Sequence, residues 1–420
     1  MTQQAPRTFA DWLAHIEQLH PQNIEMGLAR IAHVQQRLGI RFDCPLITVG
    51  GTNGKGSTCA MLEAILRAAG YRTGLYTSPH FHHFNERCRI DGVPVSEDAL
   101  VRQFEAVEAA RGETQLTFFE FTTLAILGLL AEARLDAVIL EVGLGGRLDA
   151  VNIFDADVAV VTNVDIDHVD FLGGTREAIG YEKACIYRGG RPAICGDVSP
   201  PQTLLQHAQT IGADLWLTGR DFHAELHGTD WNYAGRRLRF DALQPPGMPG
   251  VCQTHNASVA LAALEAVRER LPLTEQAVRT GLAQAFMPGR FQILPGKPVA
   301  VLDVAHNPHA AAVLAANLKA MPCTGKTWAV FGAMQDKDID GVIATMKARV
   351  QQWCVTDLPL PRAATAQQIA ARLRAAGVAD IRCFASPAEA YAYAFGSADE
   401  NDRIAAFGSF WVVAGVTTAK

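Results

Sequence analysis

The chain has 420 residues, too many for one ordinary hydrophobic core, so two or three domains are expected. With 49% hydrophobic and 19% charged residues it has the make-up of a globular protein, and a net charge of −6 speaks against a nucleic-acid binder that relies on a broad basic face. Nine cysteines without a Cys-x-x-Cys pair read as reduced thiols rather than a disulfide framework, which points to the cytoplasm.

The opening stretch MTQQAPRTFADWLAHIEQ carries acidic residues and no apolar core, so it is not read as a signal peptide. The run LITV, Leu46 to Val49, predicts a buried strand that enters a glycine loop. In the following STCAMLEAILRAAG, Met61, Leu62, Ile65 and Leu66 recur on one helical face before Gly70. The most apolar stretch, LAILGLLAEARLDAVILEVGLGG, is cut by Glu132, Arg134 and Asp136, and reads as a buried helix followed by a strand, not a membrane span. AVILEV (Ala137–Val142) and VAVVT (Val158–Thr162) are further strands. Runs that are apolar on both faces suit a parallel sheet covered by helices.

From about residue 199 to 250, with Trp216 and Trp231, the pattern loosens into an expected antiparallel excursion. A helical pattern returns from Asn256 to Leu271. MPGRFQILPGKP (Met287–Pro298), dense in proline and glycine, is the expected domain boundary. Beyond it VAVLDV, WAVFGA, WCVTD, IRCF and RIAAFG alternate with helical segments, which describes a second, smaller α/β domain.

TVGGTNGKGST, Thr48 to Thr58, departs from the G-x-x-x-x-G-K-[ST] phosphate loop: Gly56 follows Lys55, and the first hydroxyl comes at Ser57. Even so, a strand, a glycine turn holding a lysine and a helix aim backbone N–H groups at phosphates. Metal ligands must then come from elsewhere, at the carboxyl ends of strands where open α/β sheets place their ligands. Glu141 ends AVILE, where a buried carboxylate needs a cation or a salt bridge, for instance to Arg147. TNVDIDHVD brings Asp165, Asp167 and His168 to the same edge, and YTSPH supplies Ser78. Taken alone, His168 is an unusual magnesium ligand and Lys183 an ordinary helix lysine. His80, His82 and His83 lack a second ligand pair for zinc, and GLGG at Gly143–Gly146 is not a dinucleotide fingerprint.

GTNGKGS, YTSPH, LTFFEF, LEVGLGGRLDA, NVDIDHVDFLG, EKACI, PGRFQ and DVAHNPHA, in this order, resemble the dihydrofolate synthase/folylpolyglutamate synthase family, relatives of the Mur peptide ligases. The likeness spans roughly residues 24 to 415, and the glycine after Lys55 is normal for that family's phosphate loop. It implies an α/β fold in two parts. Residues 1–290 would form a Mur-ligase-type P-loop ATPase domain with a mostly parallel sheet, binding ATP and pterin. Residues 291–420 would form a smaller Rossmann-like glutamate ligase domain.

The resemblance also implies roles. Thr52, Asn53, Gly54, Lys55, Gly56 and Ser57, with Asn256, Arg290 and Asp303, would bind ATP. Ser78, Glu141 and His168 would hold magnesium, and Lys183 would be carboxylated on its nitrogen and hold a second ion. Lys55, Lys183 and His168 would be the catalytic set, while His306 has no definite role. The pterin pocket would lie at Glu25, Met26, Gly27 and Leu28, at Thr117, Phe118, Phe119 and Glu120, and at Leu148, Asp149 and Ala150. One departure is DAVN, where Val151 stands in place of the family's usual threonine.

The implied reaction is ATP-dependent addition of L-glutamate to dihydropteroate and to reduced folates through an acyl phosphate, in folate biosynthesis and one-carbon metabolism. Closure about Met287–Pro298 would bring the second domain's residues to the first. The alternatives are an enzyme that only lengthens polyglutamate tails, a Mur-type peptide ligase, and an ATP-binding module without turnover. No N-terminal domain for a UDP-linked acceptor is expected before the loop. The expected partners are small molecules, with no nucleic acid or membrane, and a monomer suffices.

Overall fold

In the computed structural model, which describes residues 7–20 and 25–418, the apolar runs become the strands of two sheets. Residues 1–6 of the opening stretch lie outside the described residues. The chain divides into two compact units: Met1–Gln244 with His255–Ala285, and Pro245–Thr254 with Phe286–Lys420. No helix among the described residues is long and apolar enough to cross a membrane.

The first unit is built on eight strands: β1 (Leu46–Gly50), β2 (Thr73–Tyr76), β3 (Cys88–Ile90), β4 (Val93–Pro94), β5 (Ala137–Glu141), β6 (Val158–Val161), β7 (Pro192–Cys195) and β8 (Asp214–Leu217). Their spatial order is β4-β3-β2-β5-β1-β6-β7-β8. All neighbours run parallel except β2–β3 and β3–β4, so the expected mostly parallel sheet is present. Every residue of β1, β5 and β6 is buried, as a sheet covered on both faces requires. Strand β1 lies between β5 and β6, pairing Val49 with both Glu141 and Val160. The chain ends of β2, β5, β1 and β6 therefore open side by side at one edge.

The long apolar stretch resolves as read: a helix over Phe118–Glu132 with Phe121 to Leu130 all buried, then β5. The loosened segment differs from expectation in where it begins. Trp216 belongs to β8 and extends the parallel sheet, because Leu204 and Ala208 of the preceding helix Gln202–Thr210 are buried, as a crossover helix requires. The antiparallel part is a separate three-stranded sheet of β9 (His223–His227), β10 (Asp230–Ala234) and β11 (Arg239–Leu243). The later helical pattern forms the helix Gln253–Ala266, and Leu271 lies beyond its end.

In the second unit β12 (Gln292–Leu294), β13 (Val299–Leu302), β14 (Thr327–Phe331), β15 (Gln352–Thr356), β16 (Ile381–Phe384) and β17 (Arg403–Phe407) order as β12-β13-β17-β14-β15-β16. Only β12 is antiparallel. Its core includes Phe331, Trp353 and Phe407, the two phenylalanine rings 5.0 Å apart.

The helix Lys55–Ala68, which starts at the phosphate loop, packs against the helix Glu275–Gln284 at Gly281. A Cβ built on Gly281 would stand 2.3 Å from the Cα of Ile65 and 2.6 Å from its nitrogen. Backbone cannot yield as a flexible side chain can, so Gly281→Ala is expected to lower stability by about 1–3 kcal/mol. Denaturant melts followed by circular dichroism check this; an unchanged midpoint would deny the close helix contact.

Candidate active site

The phosphate loop leaves β1 and is fastened to the loop after β6. Gly51 and Gly54 take φ of 141° and 84°, conformations that exclude most side chains. Each is also crowded: an added Cβ would come within 1.9 Å of Thr162 Oγ1 at Gly51, and within 2.7 Å of Asn256 Oδ1 at Gly54. Thr52 donates its N–H to the Asn163 carbonyl and its hydroxyl to the Asp165 carbonyl, and the same hydroxyl accepts from Asp165 N at 3.0 Å. Asn53 N donates to Asn163 Oδ1 at 2.8 Å, and Thr162 Oγ1 donates to the Asn53 carbonyl at 2.6 Å. Lys55 Nζ donates to the carbonyls of Gly51 and Thr52 at 2.9 and 3.1 Å. Gly56 and Ser57 are buried in the first turn of the helix that follows.

On the other side of β1, Glu141 is 4% exposed and accepts from Ser78 N at 2.9 Å. The bland pairing with Arg147 does not occur, because Arg147 pairs with Glu182 at 2.9 Å. His168 adopts the left-handed conformation, φ 51°, with its N–H donated to Asp167 Oδ1. Lys183 is not a solvated helix lysine: it is 4% exposed. Burial, then the like charge of Lys55, pushes its pKa down to about 7, opposed by Asp167 and Asp149.

No group of three His, Cys, Asp or Glu side chains among the described residues is arranged to hold an ion alone. The expected set includes Ser78, and magnesium commonly takes one or two carboxylates with phosphate oxygens and water. A buried carboxylate held by the Ser78 backbone N–H at the phosphate-loop edge fits that manner of binding.

The three expected pterin segments show different kinds of surface. Phe118 and Phe119 are half-buried rather than core: Phe118 meets Phe84 edge-on at 6.2 Å, and Phe119 lies 6.5 Å from Tyr76. Phe119 also covers Gly143, where an added Cβ would stand 2.6 Å from its ring. Met26, Gly27 and Leu28 are half-buried, and a Cβ on Gly27 would meet nothing within 4 Å. Leu148 is half-buried and Ala150 buried. Asp149 accepts from the N–H groups of Gly143, Leu144 and Val151, folding the GLGG loop around its carboxylate. Burial nonetheless raises its pKa to about 6 against those three hydrogen bonds. Glu120 caps its own helix in a reciprocal box with Thr117.

In the second unit Asp303 accepts from Phe291 N at 2.9 Å and Ala305 N at 2.8 Å, which shapes the turn carrying Arg290. Burial raises its pKa while Arg290 opposes the shift. The Arg290 guanidinium lies over Phe410 at 5.5 Å, with its Nε buried and without a hydrogen-bond partner. The His306 ring meets the Val304 carbonyl at 2.9 Å.

Several residues that organise the site escaped the sequence reading. Asn163 sits inside the quoted TNVDIDHVD, yet nothing local reveals that its amide holds the phosphate loop. Arg176 grips Asp197 at 3.0 Å and the Val164 carbonyl at 2.9 Å, so it steadies the loop that leads to His168. Arg188 donates to the carbonyls of Asn152, Cys185 and Ile186, tying the LDAVN turn to the end of the helix bearing Lys183.

Residues 49–264 match the Mur ligase middle domain, and residues 289–410 match the Mur ligase glutamate ligase domain. The fold and this edge thus define a protein of the Mur ligase type. The chain is 45% identical to the dihydrofolate synthase/folylpolyglutamate synthase of Escherichia coli, over 99% of this chain and 96% of that one. It is 38% identical to the same-named protein of Haemophilus influenzae, over 99% and 98%. Among solved structures, E. coli FolC in complex with DHPP and ADP superposes with a TM-score of 0.94 at 44% identity, covering 99% of this chain and 98% of that one. The bifunctional folylpolyglutamate synthase/dihydrofolate synthase of Yersinia pestis, complexed with AMPPNP and Mn ion, gives 0.92 at 43%, covering 100% and 99%. The chain belongs to the dihydrofolate synthase/folylpolyglutamate synthase family.

The buried amine makes a test of its own. Between pH 7 and 10.5 the unfolded chain carries a proton on Lys183 that the folded chain has largely lost, so this group's contribution to stability rises with pH across that window. Lys183→Met removes the cost of burying the charge. The variant's stability advantage over wild type is therefore expected to be largest near pH 7 and to shrink towards pH 10. Urea melts at both pH values check it, and an advantage independent of pH would mean that the amine is not desolvated as described.

Proposed function

We propose that the chain is an ATP-dependent ligase that adds L-glutamate to dihydropteroate, giving dihydrofolate, and to reduced folates, giving folylpolyglutamates. The observation that carries this reading is the shared carboxyl edge of β2, β5, β1 and β6. There a phosphate loop, the Glu141–Ser78 pair and the buried Lys183 converge, with the half-buried Phe118 and Phe119 beside them. The names and bound ligands of the relatives point the same way. Small-molecule substrates suffice, and the enzyme is proposed to act as a cytoplasmic monomer. Its nine cysteines are all free, as suits a reducing compartment.

A carboxylate is a poor electrophile, so an amide needs its activation. In the proposed reaction an oxygen of the acceptor carboxylate attacks the γ-phosphorus of ATP. The bond to the bridging oxygen breaks, and ADP leaves an acyl phosphate. The glutamate amine then attacks the carbonyl carbon and loses a proton, and the tetrahedral intermediate expels phosphate.

Lys55 offsets charge on the transferring phosphoryl group, with the N–H groups of Thr52 to Ser57 shaping the loop around it. Asn256 and Arg290 are proposed as further ATP contacts, Asp303 acting by shaping the turn of Arg290. Ser78, Glu141 and His168, joined by Lys183, would hold the magnesium ions, which when bound neutralise phosphate charge. A neutral Lys183 amine is open to carbon dioxide: an N–C bond forms, one proton leaves, and the neutral amine becomes an anionic oxygen donor. Phe118 and Phe119 offer aromatic faces to a flat pterin ring.

Phosphate release from MgATP with L-glutamate is expected with dihydropteroate and, in separate wells, with tetrahydrofolate. Lys55→Ala and Glu141→Ala are each expected to lower turnover by about 10²- to 10³-fold. Turnover with tetrahydrofolate alone would restrict the enzyme to tail lengthening. A fully active Lys55→Ala protein would sink the site.

A further inference from the structure

We infer that Arg30 is a positioning residue of the acceptor pocket, a strap of one guanidinium between the Glu25–Leu28 segment and the helix start at Thr117–Glu120. The inference rests on the assignment of those two segments to the pterin acceptor made above.

Arg30 is the second residue of the helix Ala29–Leu38, two residues beyond the first segment. Its Nη2 donates to Glu120 Oε1 at 3.1 Å and its Nε to Glu120 Oε2 at 3.4 Å, across 90 residues of sequence. The opposite side of the same group turns back on the first segment: Nη1 meets the Glu25 carboxylate, and Nη2 donates to the Glu25 carbonyl at 3.0 Å. Glu25 Oε2 in turn meets His20 Nε2 at 3.0 Å. Glu120 Oε2 also accepts from Thr117 N at 2.8 Å.

This network changes what Glu120 does. Its side chain is 5% exposed and both its oxygens are already engaged, so it works as the anchor of the strap. Phe118 and Phe119 lie between Thr117 and Glu120, on the turn that the anchor fixes. Their ring positions therefore depend on a cation delivered from residue 30. A planar guanidinium can hold two carboxylates at once with a fixed angle between them, whereas a lysine ammonium is a point charge without that geometry. Removing the cation leaves a buried carboxylate with one backbone donor and takes away the guanidinium's hold on Glu25.

Full-length wild type, Arg30→Gln, Arg30→Lys, Glu120→Gln and the double variant Arg30→Gln/Glu120→Gln would be compared by steady-state phosphate release. Dihydropteroate, tetrahydrofolate and MgATP are varied in turn, and thermal melts monitor folding. Arg30→Gln is expected to raise KM for both acceptors about tenfold or more while KM for MgATP stays within about twofold. Arg30→Lys should fall between wild type and Arg30→Gln, and the double variant should lose less than the sum of the single losses.

An unmoved acceptor KM in folded Arg30→Gln would overturn the inference while leaving the proposed function standing. Acceptor and MgATP KM rising together with a lowered melting point would overturn it too, as a general loosening of the fold. A wild type silent with both acceptors would overturn the proposed function and the strap together.

Discussion

Lys183 is buried at a sheet edge it shares with Lys55, and the cost of burying its charge is the constraint around which the site is arranged. Lys55 opens the helix after the phosphate loop, and Lys183 comes from the helix Arg176–Ala184, whose backbone packs on the GLGG loop. A Cβ on Gly146 would lie 2.7 Å from the Glu182 carbonyl, so this approach leaves no room for a side chain between them. Lys183 is 4% exposed there, and like charges interact more strongly in a low dielectric than at a surface. The protein answers with three devices: backbone carbonyls for Lys55, the nearby carboxylates Asp167 and Asp149, and a Lys183 pKa lowered until the second charge is largely given up.

That arrangement depends on backbone held in place from outside the loop. The phosphate loop is fixed by Thr162, Asn163 and Asp165, themselves at the end of β6, the strand next to β1. The β6 loop is fixed in turn by Asp197 and Arg176. Asp197 follows β7, the next strand of the sheet. The end of β6 therefore secures the loop after β1, and the end of β7 the loop after β6, so that precision at Lys55 is inherited from strand register. The GLGG loop uses another route, wrapping its N–H groups around a single carboxylate, Asp149.

Much of this was legible from residue patterns. LITV, AVILE and VAVV announce themselves because a strand covered on both faces needs apolar side chains throughout. The glycine loop is legible because only glycine tolerates the φ values at Gly51 and Gly54. What stayed hidden are properties of burial and pairing between distant segments. Nothing in GYEKACI distinguishes Lys183 from a surface lysine, since its neighbours in space come from the ends of other strands. Arg147, six residues after Glu141, was the obvious local partner, but the helix bearing Glu182 reaches it first. The resemblance implied Glu120 as a pterin contact; its part in a helix cap and its pairing with Arg30 appear only in three dimensions.

Val151 shows how a departure from a family pattern can be judged by where the side chain goes. A threonine at this position could contribute a hydroxyl, so its replacement raises the question of a lost contact. In the structure the Val151 side chain is fully buried in the main core of the first unit, among apolar neighbours. Its part in the loop is played by its backbone, which donates to Asp149 Oδ1 at 3.1 Å, a bond open to any residue but proline. A hydroxyl in that core would itself need a partner, which valine avoids. The neighbouring Asn152 keeps its side-chain bonds to the carbonyls of Arg147 and Cys185. The turn thus retains its shape through Asp149 and Asn152, and the substitution falls on packing rather than on the surface facing a ligand.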